Sequence, residues 1–249
     1  RPTENHAATT QPVSGTDPGD GTQDSAGSDR WLSWALAFVF AAAWFVSTAM
    51  AAHLPRLLQM GGASLGTAVA VGALIGPAQV VARLLEFSLL RTVHPLVSAR
   101  IAASLHPIGA LIFGIAGPAR VAAKIVSPPR WRLQSRRRLP ASSRRSVRKT
   151  GSGPAASAVF GVLHGAGNGI LTIAKGTLPL AIFGSVGYGH RQGVLMVPAR
   201  AAQALAPWLF GICLDAFGVG ALWLSSALGL AAMLVLVAIP ITPGARAKT

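Results

Sequence analysis

His164 and Asn168 stand four residues apart in an uncharged apolar stretch, so a helix there carries both side chains on one face. An imidazole can donate, accept or relay a proton near neutral pH, and a carboxamide can hydrogen-bond a polar solute. Gln79 and Arg83 repeat the spacing in another apolar stretch, and Glu86 follows where it can pair with Arg83. Polar groups at membrane depth are costly and mark cavities or pathways, so His164, Asn168, Gln79 and Arg83 are the cavity candidates. For His164 and Asn168, hydrogen bonding between helices is the open alternative. His106 lies near the start of a further apolar stretch, while Lys175 and Arg200 read as cations near span ends, snorkelling to the headgroups.

The same residues exclude much chemistry. The sequence has no His-Glu-x-x-His pair, no phosphate-binding loop and no nucleophile elbow, so no catalytic residue, metal or cofactor is expected and the chain reads as no enzyme. Cys213 is the single cysteine, which rules out an intrachain disulfide or a cysteine-based metal site.

The elements that must position the candidates are long and apolar. Six stretches of about 17 to 25 residues carry almost no charge: 31–52, 61–82, 101–119, 151–174, 198–214 and 216–240. A helix rises about 1.5 Å per residue, so about 20 apolar residues cross a bilayer core of about 30 Å. Six in succession predict an all-α, polytopic membrane protein of six transmembrane helices. Only 12% of residues are charged, against about 25% in soluble domains.

Charge divides the chain into domains. Residues 1–30 hold five of the seven acids in a Gly-, Ser- and Thr-rich tract, read as a disordered polar linker. Spans one to three occupy 31–119, and spans four to six occupy 151–240, followed by a tail at 241–249. Between the halves, 120–150 is an Arg-rich loop with eleven of the 22 Lys and Arg and no acid. It lacks interleaved aromatics beyond Trp131, so a solvated or headgroup-facing loop is favoured and no nucleic-acid partner is expected. Its composition is also that of a GC-rich gene read in another frame. Outside this block, ten Lys and Arg fall on one side of the six spans and only Arg56 on the other. The positive-inside rule then places both termini in the cytoplasm, and the basic block outside against that rule.

Small and helix-breaking residues suggest how the spans pack. Gly161, Gly165 and Gly169 recur every four residues on one face of the fourth span, the pattern that lets helix backbones approach closely in lipid. Plain packing is the simpler reading, and sliding or bending during gating the other. Pro77 and Pro207 each remove a backbone donor inside a span, a common cause of kinks.

Several motifs resemble bacterial major facilitator superfamily transporters. Gly76-Pro-Ala-Gln-Val-Val-Ala-Arg83 resembles their eighth-helix region. Gly165-Ala-Gly-Asn-Gly169, Gly176-Thr-Leu-Pro-Leu180, Phe183-Gly184, Gly187-Tyr-Gly189 and Pro198-Ala-Arg-Ala-Ala-Gln-Ala-Leu-Ala-Pro207 resemble their tenth and eleventh helices. The resemblance covers about residues 31–119 and 151–240. It implies the C-terminal half of such a fold, two inverted three-helix repeats, in a bacterial inner membrane. It also implies a small-molecule solute and a partner, either a first half that is missing from this chain or a second copy. Two other functions fit parts of the sequence. A non-transporting remnant would keep the same spans, and Ser185-Val-Gly-Tyr-Gly189 copies the core of a potassium-channel filter.

Overall fold

In lipid a helix satisfies its own backbone polar groups, and each apolar stretch builds one. The computed structural model describes residues 21–89, 93–116 and 153–241. Residues 1–20, the basic block and the tail beyond 241, with the expectations that fall on them, lie outside the described residues. Among the described residues six α-helices follow one another: α1 (Gly21–Met60), α2 (Leu65–Leu89), α3 (Pro95–Ala116), α4 (Pro154–Phe183), α5 (Tyr188–Phe217) and α6 (Ala221–Ala238). A single 3-10 turn, Gly218–Gly220, separates α5 from α6. No strand occurs among the described residues.

Among the described residues five helical segments are long and apolar enough to cross a membrane, consistent with a multi-pass membrane protein: Asp29–Met60, Leu65–Ser88, Pro95–Ala116, Pro154–Phe183 and Tyr188–Ala238. The last has 51 residues and runs through the 3-10 turn. There the chain reverses, with Gly218 at φ 59°, a conformation costly for any side chain with a Cβ.

α1 to α5 are longer than the apolar stretches that build them, whereas α6 is shorter than its own. α1 begins at Gly21, inside the tract expected to be linker, because adding a residue to an existing helix is far easier than starting one. α4 continues nine residues past Ala174, through Lys175 and Pro179, to Phe183. Pro179 has no N–H for the carbonyl of Lys175 four residues back. That carbonyl instead accepts a hydrogen bond from Gln192 Nε2 of α5 at 3.0 Å, while Tyr188 Oη donates to the next carbonyl, Gly176, at 2.9 Å. Two side chains from α5 thus let α4 run on past its proline.

Direction alternates along the chain. α1 and α5 run parallel, meeting at Trp44 with Arg200, His53 with Pro207, and Arg56 with Asp215. α2 and α4 also run parallel, since Val71, Ile75 and Gln79 face Gly161, Gly165 and Gly169 in that order. α3 is antiparallel to α4, with Gly109 on Phe160 and Gly167 on Ala102, and antiparallel to α6, where Arg100 donates to the carbonyls of Leu236 and Ile239.

Most of the core lies in two layers, with a small third cluster of Ala82, Ala102 and Ile170. One layer gathers Leu36, Phe40, Ala99, Leu178, Ala199 and Leu236; the other gathers Met50, Leu57, Phe113, Phe160, Phe210 and Leu222. Large apolar side chains such as Leu84, Phe87, Val197 and Trp208 lie exposed on the outer surface, where lipid would cover them.

Candidate functional site

The layers are separated by a small cavity where α1, α3, α4 and α6 meet. Its walls are mainly alanine, glycine and valine, and its polar groups are Ser47, His106, His164 and Asn168. The cavity volume is about 40 Å³. At about 10–15 Å³ for one water, it admits a few waters and no organic solute.

His164 is held here by the turn that also carries Gly161 and Gly165. Those glycines bring α4 against α2, and a Cβ at Gly165 would stand 2.8 Å from the Ile75 carbonyl oxygen. At Gly169 the distance to the Gln79 carbonyl oxygen would be 2.6 Å. The opposite side of α4 uses Gly167 against Ala102 of α3, where a Cβ would lie 2.7 Å from the carbonyl oxygen. Glycines on two sides of α4 therefore draw in α2 and α3, and the approach of α3 delivers His106 to His164.

The two imidazoles touch. His106 Nδ1 lies 3.1 Å from His164 Nδ1, and His106 Nε2 lies 3.1 Å from Ser225 Oγ of α6. Ser225 donates its own hydroxyl hydrogen to the Leu222 carbonyl at 2.9 Å. With that hydrogen on Leu222, Ser225 accepts from His106, and one assignment of the hydrogens along the chain follows. His106 carries its hydrogen on Nε2 and accepts on Nδ1, so His164 donates from Nδ1 and keeps a lone pair on Nε2. Phe160 packs against both rings. The arrangement has one remaining basic nitrogen, His164 Nε2. It can take one proton, because a second would put hydrogens on both Nδ1 atoms across 3.1 Å.

Asn168 lines the same cavity, so the structure brings together the two candidates expected to share a face. Gln79 and Arg83 are not among its lining residues. Gln79 marks the closest crossing of α2 with α4, through its backbone, and Arg83 is half-buried further along α2. The expected Arg83–Glu86 pair does not form: Arg83 Nε and Glu86 Oε2 are both buried without a hydrogen-bond partner. Pro77 faces outward on α2. Pro207 is half-buried, and its carbonyl accepts from His53 Nε2 at 2.8 Å, fixing α1 to α5 at the proline.

Lys175 and Arg200 meet at one aromatic ring. Lys175 lies eight residues inside the end of α4 at Phe183, and Arg200 twelve residues after the start of α5 at Tyr188. Those offsets are about 12 and 18 Å along the helix axes, so both cations lie within helices and not at the terminal turns. Lys175 Nζ sits 3.9 Å from the centroid of the Trp44 ring, and Arg200 Cζ sits 5.0 Å from the same centroid. Lys175 lies within α4 because the helix does not stop where the apolar run does.

The sequence contained the residues of the histidine chain but no sign that they meet, because His106 and His164 are 58 positions apart and His106 and Ser225 are 119 apart. No group of three or more His, Cys, Asp or Glu placed to hold a metal occurs among the described residues. The Ser185–Gly189 segment forms the turn between α4 and α5, with Tyr188 and Gly189 already in the first turn of α5. Comparison with protein-family models, curated proteins and solved structures gave no match.

Proposed function

We propose that this chain is a six-span half of a transporter of the major facilitator kind, moving a small solute by rocking against a second half. That half is another chain or a second copy. The single observation that carries the reading is how the bundle maps onto itself. Exchanging α1, α2 and α3 for α4, α5 and α6 turns the parallel α1–α5 pair into the parallel α4–α2 pair and returns the α3–α6 pair to itself. Transporters built from inverted repeats have this symmetry, with the solute site near mid-membrane at the repeat interface.

On this reading α5 and α6 are separate spans, although α6 is only 18 residues, about 27 Å long. The small cavity is too small for the solute and serves as a hydrated pocket beside the histidine pair. The excess of Lys and Arg orients both termini to the cytoplasm of a bacterial inner membrane.

Flux tests the proposal. The purified chain, reconstituted densely enough in proteoliposomes for copies to pair, is offered a panel of small labelled solutes. The expected result is saturable uptake of at least one solute above protein-free vesicles. No uptake of any solute by paired copies would favour the non-transporting remnant.

A further inference from the structure

The cations at Trp44 stand without a counter-charge among the described residues. Among the described residues the only ion pair within 4.0 Å joins Arg56 to Asp215, so neither Lys175 nor Arg200 has a carboxylate partner. Lys175 is only 5% exposed. Arg200 is exposed and uses Nη1 on Gln203 Oε1 at 2.8 Å. One indole ring therefore carries two positive groups, drawn from α4 and α5 onto α1, well inside the ends of their helices. The ring face offsets part of the cost of each cation by cation–π attraction, but it does not cancel the charge or the repulsion between them. Trp44 Nε1 is itself buried without a hydrogen-bond partner. Charged residues at membrane depth are characteristically paired or placed on a substrate path.

From this we infer that Lys175, Arg200 and the Trp44 ring that seats them form a binding site for a small oxyanion, a carboxylate or a phosphate. The chemistry of the two cations is complementary. Lysine offers a compact charge with rotatable donors, and arginine a planar fork that matches two oxygens of a carboxylate or phosphate. With one N–H engaged by Gln203, Arg200 keeps Nε and Nη2 for such a ligand. The site is distinct from the cavity beside His164, whose lining includes neither cation. As a statement about the transported solute, the inference rests on the transport reading above; the binding step needs no transport. The same oxyanion chemistry is available from a free solute or from an anionic lipid headgroup, and the burial of Lys175 favours the solute.

The test is binding to the full chain in nanodiscs of phosphatidylcholine. Succinate and inorganic phosphate are each titrated at constant ionic strength, with chloride as reference. Tryptophan fluorescence and the thermal unfolding midpoint are followed together. The expected result is a saturable response to at least one oxyanion and not to chloride. Lys175→Gln and Arg200→Gln should each weaken it about tenfold or more, the scale of losing a hydrogen bond to a charged group. Lys175→Arg and Arg200→Lys, which keep the charge, should fall between. A parallel titration in discs containing phosphatidylglycerol separates the sources: competition by that lipid assigns the oxyanion site to headgroups, and no competition assigns it to free solutes. Absence of any saturable response from the wild-type chain overturns the inference, whether or not the variants fold. So does a response unchanged in glutamine variants whose unliganded midpoints match wild type. Binding without flux would contradict the transport reading and leave the site standing; flux without binding would do the reverse.

Discussion

His106 and His164 face each other through their Nδ1 atoms at 3.1 Å, so two imidazoles from different helices share a single hydrogen. With the Ser225 hydroxyl hydrogen on the Leu222 carbonyl, His164 is the one that supplies it. The pair is a directional element with one open nitrogen, His164 Nε2, in a bundle whose neighbouring cavity walls hold no other titratable side chain.

Nitrogen NMR of the chain with 15N-labelled histidine should therefore report His106 as the Nε2–H tautomer and His164 as the Nδ1–H tautomer. On acidification the pair should gain one proton in total. Two protons taken up by this pair, or matching tautomers on both rings, would contradict the hydrogen-bond assignment.

The glycine face of α4 makes a stability prediction. Gly165→Ala and Gly169→Ala each force a methyl group against α2 backbone, at 2.8 and 2.6 Å from carbonyl oxygens. Each should destabilise the bundle by about 1–3 kcal/mol, the usual range for overpacking. Gly72→Ala, with nothing within 4 Å of the added carbon, should be neutral or stabilise by up to about 1 kcal/mol. Reversible unfolding in mixed detergent micelles measures all three, and equal effects at Gly165 and Gly72 would remove the close-packing account.

Pro179 and Gln192 should be energetically coupled. Gln192→Leu leaves the Lys175 carbonyl without its partner and should cost about 1–3 kcal/mol. In a Pro179→Ala background the new N–H at position 179 can bond that carbonyl, so the same Gln192→Leu change should cost much less. A double-mutant cycle on unfolding free energy reads the difference. Additive effects would mean that Gln192 does not replace the missing helix bond.

Much of the fold was legible because the signal for a lipid-facing helix is a long run without charge, and Trp31–Ala52 and its counterparts supply it plainly. The glycine spacing at 161, 165 and 169 also announced a close helix crossing, though not that α2 would be its partner. Helix ends were less legible. Gly21–Arg30 is polar yet helical, and α4 passes Pro179 only because Gln192 and Tyr188 reach it from α5. The site was half legible for the same reason. The spacing of His164 and Asn168 is local information, whereas the meeting of His106, His164 and Ser225, or of Lys175 and Arg200 on Trp44, is a product of packing between helices distant in sequence. Arg83 and Glu86, conversely, are near in sequence and still do not pair, each with a buried polar atom left without a partner.

The central claim is that the chain crosses the membrane six times in two inverted three-helix units, and the turn between α5 and α6 decides it. Single cysteines at Met60, Ser185 and Ala216, in a chain with Cys213→Ser, place a thiol near the end of α1, in the α4–α5 turn and at the end of α5. A membrane-impermeant maleimide is applied to intact cells and to inverted membrane vesicles. The account predicts that Met60→Cys and Ala216→Cys label from the outside and Ser185→Cys from the cytoplasmic side. Ala216→Cys inert from both sides, or labelled from the same side as Ser185→Cys, would contradict it, because Tyr188–Ala238 would then not reverse at the surface as two spans.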